Sequence, residues 1–418
     1  MKRKTFLCAL LSVPALVLMT FAASPEKPDR GAAWKLMNDG NFKEAFDGFS
    51  ALALDPADDQ VQVGSDLTQA VACLRQLNRV AEFDAFIEKV ILAHKDNGRL
   101  LFAAAGDYHL VDHQGSIVAG NFIRGPHRGG TARYVSALER DRVRALQLMV
   151  QAMGAEKAEK LGGQFYFSLA SMLLGNRGGD AWRLQYLTDL DKLPDYEEGY
   201  YFGGGRGIGA PVNADGTPVF YHLPESWKAA QNDGERWRWA LHMAAEVAPV
   251  MTAQAEMTFA DFLRSQFGTE TLAEYRGFFG RGFSDGERKD ESGTYALHTL
   301  GEDETIARLA TGVKRFKLPD EFNYILIYKH VADENAPNWT GQALDKLADL
   351  FENRRQYEKS ADYWRRSIAL GDPQGWKQKR LDQIEGNWGR FEPIGTQPAG
   401  PVGATVEFRF RNGRKVSF

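Results

Sequence analysis

Gly341 to Asp372 reads GQALDKLADLFENRRQYEKSADYWRRSIALGD. Its apolar residues fall at helical steps. Leu344, Leu347, Ala348 and Phe351 lie three and four residues apart, on one face of a 3.6-residue period. After a polar break at 353–356, Tyr357, Ser360, Ala361, Trp364 and Ile368 do the same. The expectation is two antiparallel helices joined by a tight turn. Small residues (Ala348, Ser360, Ala361) sit where two backbones approach. Large aromatics (Phe351, Tyr357, Trp364) sit where the gap between hairpins must be filled.

That alternation of small and large positions resembles a tetratricopeptide repeat. A single such hairpin buries one face and needs neighbours. Working outward, AAWKLMNDGNFKEAFDGFSALALDP from Ala32 supplies one, with Gly40, Phe42, Ala45 and Phe49 in turn, aromatic, small and aromatic order, and Pro56 as the stop. Residues 67–77, 79–94 and 100–110 continue the helical pattern. So do 136–153, 165–174, 181–193, 225–247, 258–267, 270–278, 293–300, 304–316, 320–331 and 374–385. Two Gly-rich insertions interrupt it. The first, 114–134, holds a short strand at 117–123; the second, 194–224, holds a hairpin signal at Asp215-Gly216. The expected fold is mainly α: a tetratricopeptide-like helical-hairpin solenoid over 30–386. A Pro/Gly linker follows over 387–403. Residues 404–418 close the chain as a short β-hairpin around Asn412-Gly413, with Val406, Phe408 and Phe410 on one face and Glu407, Arg409 and Arg411 on the other.

A chain of 418 residues with 44% hydrophobic and 25% charged content has ordinary globular composition. Its formal charge of −4 gives no reason to expect nucleic acid. Lys2, Arg3 and Lys4 precede an apolar run over 5–21, and Thr20-Phe21-Ala22 offers small residues for cleavage after Ala22. This reads as a signal peptide over 1–22 and a periplasmic or secreted address. The competing reading, a membrane anchor, is weakened by Pro14 and by the shortness of the run. Beyond it no stretch is apolar enough to span a bilayer. Cys73 is then the lone cysteine, so no intrachain disulfide forms, and its helical apolar face predicts a buried thiol.

Chemistry-bearing motifs are sparse. Gly205, Gly207 and Ala210 match a G-x-G-x-x-A spacing, but Pro211 follows and no long helix can start to meet a pyrophosphate. The preferred reading is a Gly-rich loop packed close to backbone. His109 and His113, with His127, have metal-ligand types, yet Leu110 stands where a zincin carries Glu. No cofactor, metal site or catalytic residue is assigned. Arg124, His127, Arg128 and Arg133 form a candidate site for an anion or an acidic partner. The alternative for these arginines is pairing with local acids such as Glu139 and Asp141.

Several longer strings act together: RDRVRALQLM at 140–149, AWRLQYLTDLDKLPDYEEG at 181–199, NDGERWRWAL at 232–241, ENRRQYEKSADYWRRSI at 352–368, and NWGRF with VEFRFRNGRKVSF toward the end. With LALDP and GNFIRGPHRGG, they resemble the helical N-terminal region of large secreted bacterial alpha-2-macroglobulin proteins. The resemblance implies a non-enzymatic protease-trapping or envelope-protective family built of β-sandwich modules, some with a Cys–Gln thioester. This chain has no thioester string and no room for the modules. The expectation is a scaffolding or docking region, truncated before its modules, whose partner is another protein or those modules. The alternatives are a stand-alone periplasmic tetratricopeptide-type binding module, or an envelope enzyme with its site at the Gly-rich insertions. Insertions that converge in one cleft favour the enzyme.

Overall fold

The computed structural model of the chain describes residues 29–127, 129–130, 132–175, 181–199, 209–269, 296–391, 408–413 and 415. The signal segment with its cleavage after Ala22, Arg128, the glycine run 203–208 and the expected helix 270–278 lie outside them. Fourteen α-helices and eight short strands occur among the described residues, so the chain is mainly helical.

Helices α1 (Arg30–Asn38), α2 (Phe42–Leu54), α3 (Val63–Gln76), α4 (Phe83–Ala93) and α5 (Gly98–Leu110) come first. Strands β1 (Gln114–Val118), β2 (Asn121–Arg124) and β3 (Arg133–Ser136) follow, then α6 (Leu138–Ala155), α7 (Ala158–Leu161) and α8 (Gly163–Leu174). Beyond β4 (Glu197–Glu198) come α9 (Asp233–Val247), α10 (Thr252–Phe267), β5 (Glu304–Leu309), β6 (Gly312–Lys317) and α11 (Tyr324–Asp333). The quoted stretch forms α12 (Thr340–Asn353) and α13 (Tyr357–Leu370); α14 (Trp376–Glu385), β7 (Trp388–Phe391) and β8 (Phe408–Arg411) complete the order.

Asparagine side chains cap three of these helices. Asn97 accepts from Arg99 and Leu100, Asn323 from Ile325 and Leu326, and Asn232 from Glu235. The Glu235 carboxylate accepts in return from the Gln231 backbone N–H at 2.7 Å. Each cap satisfies donors that a helix start leaves unpaired, and contributes about 1 kcal/mol. In the α12–α13 hairpin the turn places Arg355 at φ 58°. The Ser360 hydroxyl donates to the Ala348 carbonyl at 2.8 Å, so the two small positions do mark the close approach. Trp364 is fully buried and Phe351 stacks on Tyr363.

Most helices pack on a helix close to them along the chain, with α4 and α7 outside the main series. Helix α1 packs on α2, α2 on α3, α3 on α5, α5 on α6, α8 on α9, α9 on α10, α10 on α11, and α11 through α14 each on the next. One apolar core extends from Ala33 to Phe351 and includes Cys73. A satellite of Ala348, Ala361, Trp364, Leu381 and Ile384 closes the C-terminal end. No described helix is long and apolar enough to cross a membrane.

Five segments depart from the sequence reading. Residues 117–123 are not one strand but the tip of the β1–β2 hairpin, because Ala119 and Gly120 take positive φ and turn the chain. Residues 304–316, expected helical, form the antiparallel β5–β6 pair. There β-branched Thr305, Ile306 and Val313 favour extended backbone, and Gly312 at φ 118° supports the turn. Residues 181–193 give only a 3₁₀ turn at Ala181–Gln185, and 225–232 stay outside α9. Finally, β8 pairs with β7, part of the stretch read as linker, with Phe391 opposite Phe408. The Asn412 side chain ties that pair to the carbonyls of Ile384 and Glu385 at the end of α14. Val406, Val416 and Phe418 of the expected hairpin lie outside the described residues.

Candidate functional site

Of the candidate residues that the sequence offers in the first insertion, Arg124 is buried, while His127 and Arg133 are exposed. Strand β2 delivers Arg124 inward, where it is 2% exposed. Its guanidinium donates to both carboxylate oxygens of Asp141 at 2.7 and 2.9 Å, to both of Asp84 at 3.0 and 2.6 Å, and to the Asp112 carbonyl at 2.8 Å. The rings of Phe83 and Phe122 cover it. Burial opposes the charge, but the hydrogen bonds to Asp141 and Asp84 prevail and hold the group above its ordinary range. No donor is left to take an external anion. Arg133 is exposed and paired with Glu198 at 2.6 Å, and His127 is exposed.

The same region joins the two insertions. Strand β4, from the second, pairs with β3 in a sheet of order β2-β1-β3-β4. Tyr196 stacks on Phe122 at 4.5 Å. Beside this sheet His113 Nδ1 lies 2.8 Å from the Asp141 carboxylate. The cavity there is lined by His109, His113, Glu139 and Arg142 and measures about 20 Å³, room for a single water. Burial pushes the His109 imidazole down. Farther along, Gly209 at φ 90° lets backbone approach β5 so closely that a Cβ would meet Leu309 backbone atoms at 2.7 Å. Ala210 exchanges hydrogen bonds there with Arg308 and Ala310. This described end of the glycine run is a backbone-packing device, as the sequence suggested.

A concavity that combines an apolar base with ionisable groups lies elsewhere, between α9, α10 and α11. It is an open groove of about 900 Å³. Leu241, Ala255, Phe259, Leu326 and Ile327 make its apolar surface. Behind it Trp237 packs on Phe259 and Phe262, which fixes the spacing of α9 and α10. Arg238 lies over the Phe259 ring at 3.5 Å and donates to Glu321 at 3.1 Å. Burial pushes Arg238 down to about 10, and Glu321 offsets only part of that. His222 approaches the same Glu321 at 3.3 Å.

Two helical His-x-x-x-Glu pairs stand on opposite sides. On α9, His242 Nε2 lies 3.6 Å from Glu246. On α11, His330 Nε2 lies 3.4 Å from Glu334, and its Nδ1 lies 2.9 Å from Glu256 of α10. The hydrogen bond with Glu256 is the main reason the His330 imidazole is raised. Arg238 is the one permanently charged cation among the lining residues, against Glu246, Glu256 and Glu321, so the groove is acidic.

None of these groove residues was singled out from the sequence. The two His-x-x-x-Glu spacings were legible as pairs on one helical face. Glu256 had no signal, because it meets His330 across 74 residues of chain. No protein-family model matches the chain, and no curated protein matches it either. The resemblances to tetratricopeptide and alpha-2-macroglobulin proteins therefore rest on the quoted residues alone.

Proposed function

We propose that the chain is a non-enzymatic docking scaffold of the exported, alpha-2-macroglobulin-like type, built as a tetratricopeptide-like solenoid. The reading is supported by the packing of most of the helices on the next one along the chain, the arrangement that stacked hairpins use to make extended binding faces. The observation that carries it is the α9–α10–α11 groove: open, apolar at its base and acidic at its rim. Such a surface suits a polypeptide segment with an apolar face flanked by Lys or Arg. We favour it over the anion or acidic partner expected at Arg124, His127, Arg128 and Arg133, because the Arg124 donors are all taken by Asp84, Asp141 and Asp112. The signal-like start supports a periplasmic or secreted setting.

The enzyme alternative draws support from β3–β4 pairing, which brings the insertions together. Against it stand the saturated Arg124 cluster and a neighbouring cavity too small for a substrate. Panning a random peptide library on the full chain tests the docking reading. Enriched peptides should combine apolar and basic positions, and Leu326→Glu should remove their binding while the circular dichroism spectrum is unchanged. Enrichment of acidic peptides, or binding indifferent to Leu326→Glu, would sink it.

A further inference from the structure

We propose that Glu256, His330 and Glu334 form a site for a divalent transition-metal ion, Zn²⁺ in the first instance, at the edge of the groove. Three features of the geometry lead there. First, His330 and Glu334 are four residues apart at the C-terminal end of α11, so both side chains rise from one face of the helix. Second, Glu256 reaches them from α10, a different element, so the set is fixed by the α10–α11 packing and not by one flexible loop. Third, one donor atom from each residue lies within 4.8 Å of the others. Ligands held about 2.0–2.2 Å from one ion are separated by roughly 3.4 Å in tetrahedral geometry. Glu256 faces Nδ1 and Glu334 faces Nε2 of the same ring, so the ion takes one nitrogen and the exposed carboxylate on the other edge swings across to join it.

The donor set also selects the ion. One imidazole nitrogen with two carboxylates suits Zn²⁺, Co²⁺ or Ni²⁺, whereas Mg²⁺ and Ca²⁺ take oxygen ligands. Three protein ligands leave at least one coordination position open, as in zinc sites that hold water or an incoming group. Because Glu256 and His330 both line the groove, an ion there sits where a docked segment would pass. The three residues are half-buried or exposed, so an ion has a direct path in. The same contacts in the absence of metal are those of a histidine held between two carboxylates, and the experiment must separate the two.

The test is titration of ZnCl₂ into the full chain, freed of metal with a chelator, followed by calorimetry at neutral pH. Co²⁺ absorption in the visible range provides a second readout. The expected result is one saturable site per chain. Affinity should fall at least tenfold in His330→Ala and in Glu256→Gln, each with an unchanged circular dichroism spectrum, and should persist in His242→Ala. Glu334→Gln, at an exposed helix end, is the substitution least able to disturb folding and should also weaken binding. Absence of saturable binding, or binding equal in wild type and His330→Ala, overturns the site. A loss in His242→Ala as large as in His330→Ala overturns this ligand set.

Discussion

Arg124 and Arg238 are both largely buried arginines facing carboxylates, and they are held in opposite ways. Arg124 spends its donors on Asp84, Asp141 and a backbone carbonyl, and its pKa is raised. Arg238 makes one hydrogen bond, to Glu321 at 3.1 Å, lies against an aromatic face, and is pushed down to about 10. The first is a closed lock between β2, α4 and α6. The second is a cation under-supplied with partners at the edge of an open groove. A buried charge that is fully paired is costly to disturb and offers nothing to a ligand. A charge that water and one carboxylate share can exchange partners.

The largest effect should come from breaking the closed lock. Arg124→Met leaves Asp141 without its main countercharge in the interior, and removal of one partner of a buried pair costs about 3–5 kcal/mol. Urea denaturation at neutral pH measures it. Arg133→Ala, in the same insertion but paired only at the surface, should cost less than about 1 kcal/mol. Equal losses would mean that the depth of Arg124 does not matter and that the contrast fails.

Trp364→Ala should be nearly as severe, roughly 3–5 kcal/mol, because it empties the centre of the small C-terminal satellite core. A loss below about 1 kcal/mol would place Trp364 among tolerant surface positions. This residue also shows what was legible in the sequence. The α12–α13 hairpin follows from residues three and four apart, all in one short window, and the structure places Ala348, Ser360 and Trp364 where that spacing puts them. The β5–β6 pair was missed because Ile306, Ala307 and Leu309 satisfy a helical period about as well as a strand, and strand pairing is a contact that no single window contains. The groove was missed for the same reason at longer range. Arg142, Thr188 and Asp233 teach the complementary lesson. They come from three separate strings that first suggested a family resemblance, and they meet in one buried network. Arg142 donates to Asp233 at 3.0 Å, and the Thr188 backbone N–H donates to the other Asp233 oxygen at 3.0 Å.

Asp107 sharpens the comparison through pH. It is buried on α5 with a Thr68 hydroxyl donating to it at 3.2 Å. Burial pushes its carboxyl up to about 7, and the Thr68 hydrogen bond offsets only part of this. A folded-state value above the unfolded one means that the folded chain holds the proton more tightly. The associated stability is complete below about pH 4, declines as pH rises, and is lost once pH passes about 7. At about 1.4 kcal/mol per unit, the full swing is a few kcal/mol. Asp107→Asn should therefore match wild type near pH 4 and exceed it at pH 8, with paired urea titrations at the two pH values as the check. A gain that is the same at both would show that Asp107 is not the titrating group.

The smallest effect is expected at the groove, and it decides whether the groove is open. Glu321 is 43% exposed on its side chain, and Arg238 is 14% exposed. Water near Glu321 screens the pair, so its contribution is that of a surface ion pair, at most about 1 kcal/mol. Arg238 also keeps its contact with Phe259 when Glu321 is neutralised, and a cation over an aromatic face is held by about 0.5–1 kcal/mol at an accessible site. Glu321→Gln should thus shift the urea midpoint little at neutral pH. It should still weaken a basic peptide selected by panning, because it removes one of the rim carboxylates. A stability loss comparable to that of Arg124→Met would make Glu321 a structural partner and the groove a second closed lock. A small loss in stability together with weaker peptide binding is the pattern that separates a surface built for exchange from one built for rigidity.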